Sequence, residues 1–228
     1  MWRRVVAVAK RKLSNPLALA VLVHVAEQPR HPYEIAQVLR ERGKDGSIKI
    51  NYGSLYTVVQ SLERHGFIEA AGTERDGRRP ERTVYGITAS GRVEMRDWLS
   101  ELLGTPAKEY PRFEAGLSLM GILSPDEVGS LLAQRLARLD ATLAEGRAAM
   151  AVYGTLLPRI FLVESEYSLA MTEAEAAWVR GLLADLADGS LSGAAEWRSF
   201  HETGQAPAAW ADLPERVQRL REQQLKEE

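Results

Sequence analysis

The side chains that could do chemistry in this sequence gather in one short stretch, NYGSLYTVVQSLERHG at 51–66. Leu55, Val58, Val59 and Leu62 recur at i, i+3, i+4 and i+7, the buried stripe of an amphipathic helix. The remaining faces carry Asn51, Tyr52, Ser54, Tyr56, Thr57, Gln60, Ser61 and Arg64, with Glu63 the one acid, at the margin. Solvated helix faces usually mix Glu with Lys, so this composition suits a polyanion that carboxylates would repel. Hydroxyls and amides can bond base edges or phosphate oxygens, tyrosine can donate to phosphate, and arginine adds charge. Just beyond lies RDGRRPER, which places Arg75, Arg78, Arg79 and Arg82 in and beside an Asp76-Gly77 turn. Cations on such a tip suit phosphate or minor-groove contact, although a merely solubilising turn has the same composition.

Other chemistries find little support. The chain has no cysteine, so disulfides, thiolate chemistry and Cys-ligated metals are excluded. The four histidines, His24, His31, His65 and His201, show no metal-binding spacing, and His24 falls on a buried face as a core residue. There is no GxGxxG or Walker loop, no GxSxG elbow and no dense histidine–carboxylate cluster. We therefore expect no catalysis, no metal and no cofactor.

The elements that must position the 51–66 face follow from periodicity and punctuation. A nearly all-apolar helix over 16–27 starts with Asn15 as N-cap and proline at the first helical position. PRHP interrupts the chain, and a second helix over 33–42 turns Ile35, Ala36, Val38 and Leu39 inward before Gly43. The helix of 51–66 stops at Gly66, and FIEAAGTE and RTVYGIT then read as a β-hairpin. A helix after Thr88 carries Met95, Trp98, Leu99, Leu102 and Leu103 on one face. The stretch 105–111 reads as a linker.

Beyond it the pattern is helical throughout. Ser124-Pro125-Asp126-Glu127 has capping-box spacing ahead of a long leucine-striped helix to about 153. A helix over 159–170 and another capped by Thr172 and Glu175, carrying Trp178, complete this half. The expected domains are thus 1–104, 105–190 and a polar tail at 191–228, whose composition allows partial disorder and a short helix over 214–225. Residues 1–12 are rich in Arg and Lys, and read either as an extra arm or as a frayed terminus. They lack a cleavage-like small-residue site and are not read as a leader.

Composition sets the class. With 45% hydrophobic and 26% charged residues the chain is that of a soluble globular protein. Its longest near-apolar run, 16–26, is about half the roughly 20 residues needed to span a bilayer. The net charge of −2 hides an asymmetry. Residues 1–104 hold 17 Lys and Arg against 12 Asp and Glu, and residues 105–228 hold 12 against 19. Only the first half has the balance expected of a surface that meets a polyanion.

Three helices, a two-stranded hairpin with a basic tip and a further helix are the order of a winged helix-turn-helix domain, whose third helix enters the major groove. At this level the chain resembles the PadR-type bacterial transcriptional regulators. The matching residues are Gly53-Ser54-Leu55-Tyr56, Leu62-Glu63-Arg64-His65-Gly66-Phe67-Ile68, the wing cations Arg78-Arg79, and Tyr85-Gly86-Ile87-Thr88 to Gly91. The resemblance is strong over 14–104 and weaker over 105–190. It departs at Pro32, where the family often has glycine, and at Thr57, where it often has proline.

The resemblance implies a mainly α protein: an N-terminal winged helix-turn-helix with a β-wing, plus a C-terminal all-helical dimerisation domain. It further implies a homodimer on a pseudo-palindromic operator, usually repressing in the cytoplasm, with a small aromatic effector near the dimer interface. Trp98 and Trp178, on leucine stripes, are the effector candidates or else core residues. The alternative is a winged-helix adaptor that binds protein rather than specific DNA.

Overall fold

The computed structural model describes residues 13–74, 82–211 and 213–224. The wing tip with Arg75, Arg78 and Arg79, and the basic stretch 1–12, lie outside the described residues. The chain divides into two compact units, Met1–Glu109 and Tyr110–Glu228. That division falls inside the expected linker of 105–111.

In the first unit α1 (Pro16–Glu27), α2 (Pro32–Glu41) and α3 (Tyr52–Arg64) are followed by β1 (Ile68–Glu74), β2 (Arg82–Ile87) and α4 (Ala89–Gly104). Asn15 caps α1, its side-chain oxygen accepting from Leu17 N–H, with Pro16 at the first helical position. α1 is apolar on almost every side because its neighbours surround it. Leu17, Val21 and Leu22 are fully buried among Ile35, Leu39, Leu55, Leu62 and Ile68, with Trp98 closing the cluster. His24 is buried here too, and its Nδ1 lies 2.8 Å from the Ala20 carbonyl, so its polar edge is satisfied.

β1 and β2 pair antiparallel from Ile68 opposite Ile87 to Glu74 opposite Arg82, with a bulge where the register shifts between Ala70 and Gly72. The wing is anchored to the helices by the backbone. Arg30, in the α1–α2 connection, donates to the Tyr85 carbonyl at 3.1 Å and accepts from Tyr85 N–H at 3.0 Å.

An ion pair also ties α1 to α2. Arg42 grips Glu27 with two bonds of 2.8 and 3.1 Å, and that guanidinium holds the Glu27 carboxyl below its ordinary pKa. A carboxyl lowered on folding adds stability above its unfolded pKa and loses it as pH falls through the folded value. Arg42→Ala should therefore lower the urea midpoint more at pH 7 than at a pH acidic enough to protonate Glu27 in the folded protein. Equal losses at both pH values would show that the pair contributes nothing. The pair is largely solvated, so the difference will be small.

The second unit contains α5 (Arg112–Leu119), α6 (Pro125–Tyr153), α7 (Val163–Asp188), α8 (Ala194–Thr203) and α9 (Leu213–Gln224). α6 opens with a complete capping box. The Ser124 hydroxyl accepts from Glu127 N–H, and the Glu127 carboxylate accepts from Ser124 N–H. α6 and α7 pack along each other, with Val128, Leu132 and Val179 at the buried end and Arg147 bonded to Glu173 farther along.

Two features differ from the sequence reading. The region 159–188 holds one long helix after a short turn, and Thr172 lies inside it with its hydroxyl donating back to the Ser168 carbonyl at 2.8 Å. A Thr-x-x-Glu pattern marks a start only where something upstream stops the helix. Nothing between Val163 and Thr172 does. The second difference is α8, which lies in the segment set apart as a polar tail. Trp197 is only 8% exposed, packs on Val128, Leu132 and Val179, and donates its indole N–H to the Leu123 carbonyl at 2.9 Å. Arg198 pairs with Asp126, and the His201 ring lies 3.1 Å from the Gly121 carbonyl.

Candidate nucleic-acid interface

α3 is set between two glycine stops. Gly43 ends the α2 region at φ +65° and Gly66 follows α3 at φ +71°, left-handed conformations that a side chain would strain. Asn51 starts α3, its side-chain oxygen accepting from Gly53 N–H at 3.0 Å. Leu55, Val58, Val59 and Leu62 all turn into the core, which fixes the rotation of the helix. The opposite face is thereby presented to solvent: Tyr56, Thr57, Gln60 and Arg64 are exposed, Asn51 is exposed and Ser54 is half-buried. The side chain of Tyr52 lies outside the described set.

The polar groups on this face are partly committed already. Ser54 donates its hydroxyl to the Asn51 carbonyl at 2.8 Å, and Thr57 donates to the Gly53 carbonyl at 3.3 Å. Arg64 donates its Nε to the Gln60 carbonyl at 3.4 Å, which leaves its terminal nitrogens pointing onward. Tyr56 is 46% exposed and meets the ring of His31 edge-on at 6.4 Å. His31 is itself the cap of α2, its Nδ1 accepting from Tyr33 N–H and its own N–H donating to Glu34. Thr57 keeps the backbone N–H that proline would lack, and α3 runs through this position as regular helix.

Arg82, at the tip end of the described hairpin opposite Glu74, is half-buried rather than fully exposed. Glu63 remains the acid of α3, and together with burial it pushes the Tyr85 phenol above its usual pKa, burial being the larger cause. Lys49, two residues before the N-cap, is exposed and adds a cation beside the α3 N-terminus. The sequence reading passed over it. Its position just ahead of an acid-poor helix was the signal that could have found it.

The two tryptophans have different surroundings. Trp98 is 3% exposed inside the core of the first unit, and so fills space there. Trp178 is 51% exposed on the second unit, edge-on to Phe113 at 6.0 Å, while the Arg135 guanidinium stacks 3.7 Å over the same Phe113 ring. Among the described residues no group of three or more His, Asp or Glu is arranged to hold a metal ion. No described helix is long and apolar enough to cross a membrane.

A buried-stripe helix with an acid-poor outer face, followed directly by a two-stranded wing, has counterparts among known proteins. Residues 21–97 match the model of the transcriptional regulator PadR-like family. A probable transcriptional regulator of Mycobacterium tuberculosis is 32% identical over 88 residues, which is 37% of this chain and 43% of that protein. The chain thus matches less than half of that relative's length.

Among solved structures, Bacillus subtilis PadR in complex with operator DNA superposes with a TM-score of 0.62 at 20% identity, covering 75% of this chain and 99% of that one. The same protein in complex with p-coumaric acid gives 0.58 at 20% identity, covering 75% and 98%. The Vibrio cholerae virulence activator AphA gives 0.55 at 17% identity, again covering 75% and 98%. These likenesses establish the shared fold, a winged helix-turn-helix followed by C-terminal helices. Over residues 21–97 the chain is similar to the PadR-like family of transcriptional regulators.

Proposed function

We propose that this protein is a transcriptional repressor that binds a pseudo-palindromic operator as a homodimer and is released by a small aromatic effector. The observation that carries the DNA reading is the outer face of α3: exposed, rich in hydroxyl, amide and guanidinium groups, and held in one orientation by four buried apolar residues. Asn51, Tyr52, Ser54, Tyr56, Thr57, Gln60 and Arg64 supply that contact, with Lys49 beside them. Arg75, Arg78, Arg79 and Arg82 supply the wing contact.

Dimerisation is supported by the end of the second unit where α6 gives way to α7. Val152, Leu156, Ile160, Phe161 and Tyr167 are all exposed there, an apolar concentration that a soluble monomer rarely leaves uncovered. The effector reading rests on the half-exposed Trp178 beside Phe113 and Arg135, since Trp98 is used for packing. Operator DNA and p-coumaric acid, bound by the Bacillus PadR, give the two ligand classes to try first. DNA as the target also implies action in the cytoplasm.

The test is a titration of the purified protein against DNA flanking its own gene at several salt concentrations. Each neutralised phosphate adds roughly 0.9 to the slope of log affinity against log salt. Replacing Arg78 and Arg79 by Ala should weaken binding to every sequence and reduce that slope by about 2. Salt-independent behaviour, or no retention of DNA at all, would favour the protein-binding adaptor instead.

A further inference from the structure

Hydrogen-bond accounting on α3 separates the side chains that can read a base from those that cannot do so freely. Ser54 and Thr57 have each given their only proton to a backbone carbonyl within the helix. What remains on those hydroxyls is acceptor capacity. Asn51 has its amide oxygen engaged as the N-cap, which leaves the NH₂ as donor. Arg64 is a donor only. Gln60 differs from all of these. It is exposed, it lies on one stripe with Tyr56, Thr57 and Arg64, and both halves of its amide are uncommitted among the described residues.

A free carboxamide offers one acceptor and two donors in a plane. In the major groove, adenine presents the complementary pair, an N6 amino donor beside the N7 acceptor. Guanine presents two acceptors and would leave the amide oxygen without a partner, and cytosine presents a donor alone. We infer that Gln60 is the specificity-determining residue of α3 and that it reads an adenine in each half-site. This rests on the DNA-binding reading above and sharpens it, because it names the base. Ser54 and Thr57 act beside it as acceptors, and the charged and phenolic groups hold the backbone.

The experiment is selection from a randomised duplex library by the full-length protein, compared with Gln60→Ala and Gln60→Glu. Position 60 is exposed, so both variants should fold; matching circular dichroism and melting curves check this. The wild type should enrich adenine at one position per half-site. Gln60→Ala should flatten that position by about tenfold to a hundredfold while the others keep their preferences. Gln60→Glu should turn the same position towards cytosine, whose N4 amino group a carboxylate accepts.

Unchanged preferences in Gln60→Ala, an equal loss on all sequences, or a wild-type preference other than adenine at the affected position would each overturn the assignment while leaving DNA binding intact. A wild-type protein that enriches no sequence overturns the operator reading itself, and this assignment with it.

Discussion

Gly91→Ala is expected to lose about 3 kcal/mol or more of the stability of the first unit. Gly91 is the third residue of α4 and is buried. A Cβ at this position would lie 2.0 Å from the Phe67 carbonyl oxygen and 2.9 Å from Ile87 Cγ1. The first contact is with backbone, and that backbone is tied down. Phe67 accepts from Thr88 N–H, while Thr88 and Ser90 both donate hydroxyls to the Gly66 carbonyl at 2.6 and 2.8 Å. Neither partner can step aside without breaking the joint between the end of α3, the start of β1 and the start of α4.

Since total stabilities run at about 5–15 kcal/mol, such a change removes a large fraction. Urea unfolding followed by circular dichroism would measure it, and a midpoint equal to wild type would sink the argument. Ser90→Ala provides scale, because it removes one exposed hydroxyl bond and should cost about 1 kcal/mol. This joint also sets where α3 ends relative to the wing, so partially folded Gly91 variants should lose DNA binding as they lose structure.

Trp197→Ala should cost about 3–5 kcal/mol, the range for emptying a buried indole. It would also strand the Leu123 carbonyl, which accepts the indole N–H at 2.9 Å. Because α8 is held by Trp197, Arg198 and His201 against the segment 121–126, the expected readout is local as well as global. Protease should cut the variant within 190–205 at concentrations that leave the wild type intact. Trp197→Phe keeps most of the packing and should lose only about 1 kcal/mol with the hydrogen bond. Resistance of Trp197→Ala to both urea and protease would mean that α8 is not part of the second unit's core.

The helices of the first unit were legible because each carries two independent local signals. Asn15 with Pro16, and Gly43 and Gly66 as stops, mark ends, while the 3.6-residue spacing marks the buried side. The outer face of α3 followed from the same spacing, since fixing Leu55, Val58, Val59 and Leu62 inward leaves little choice for the rest. α7 shows where local reading fails. Thr172 and Glu175 have the spacing of a cap, yet a threonine inside a helix satisfies its hydroxyl on the preceding turn equally well.

What the sequence by itself determined, then, is the order of elements in the first unit, the acid-poor face of α3, the wing strands, and the motifs that resemble the PadR-like family over 21–97. Only the tertiary structure decided what each apolar residue meets. Trp98 and Trp178 stand on similar stripes, but the first is enclosed by the core of its unit and the second is half open beside Phe113. Trp197, in a stretch too polar to suggest a core, is buried because Val128, Leu132 and Val179 reach it from helices far away in the chain. The tertiary structure likewise showed that Arg82 is half-buried and that Lys49 is exposed near the start of α3. Periodicity reports that a face must leave water. It carries no information on which distant surface covers that face, because burial depends on the partner as much as on the residue.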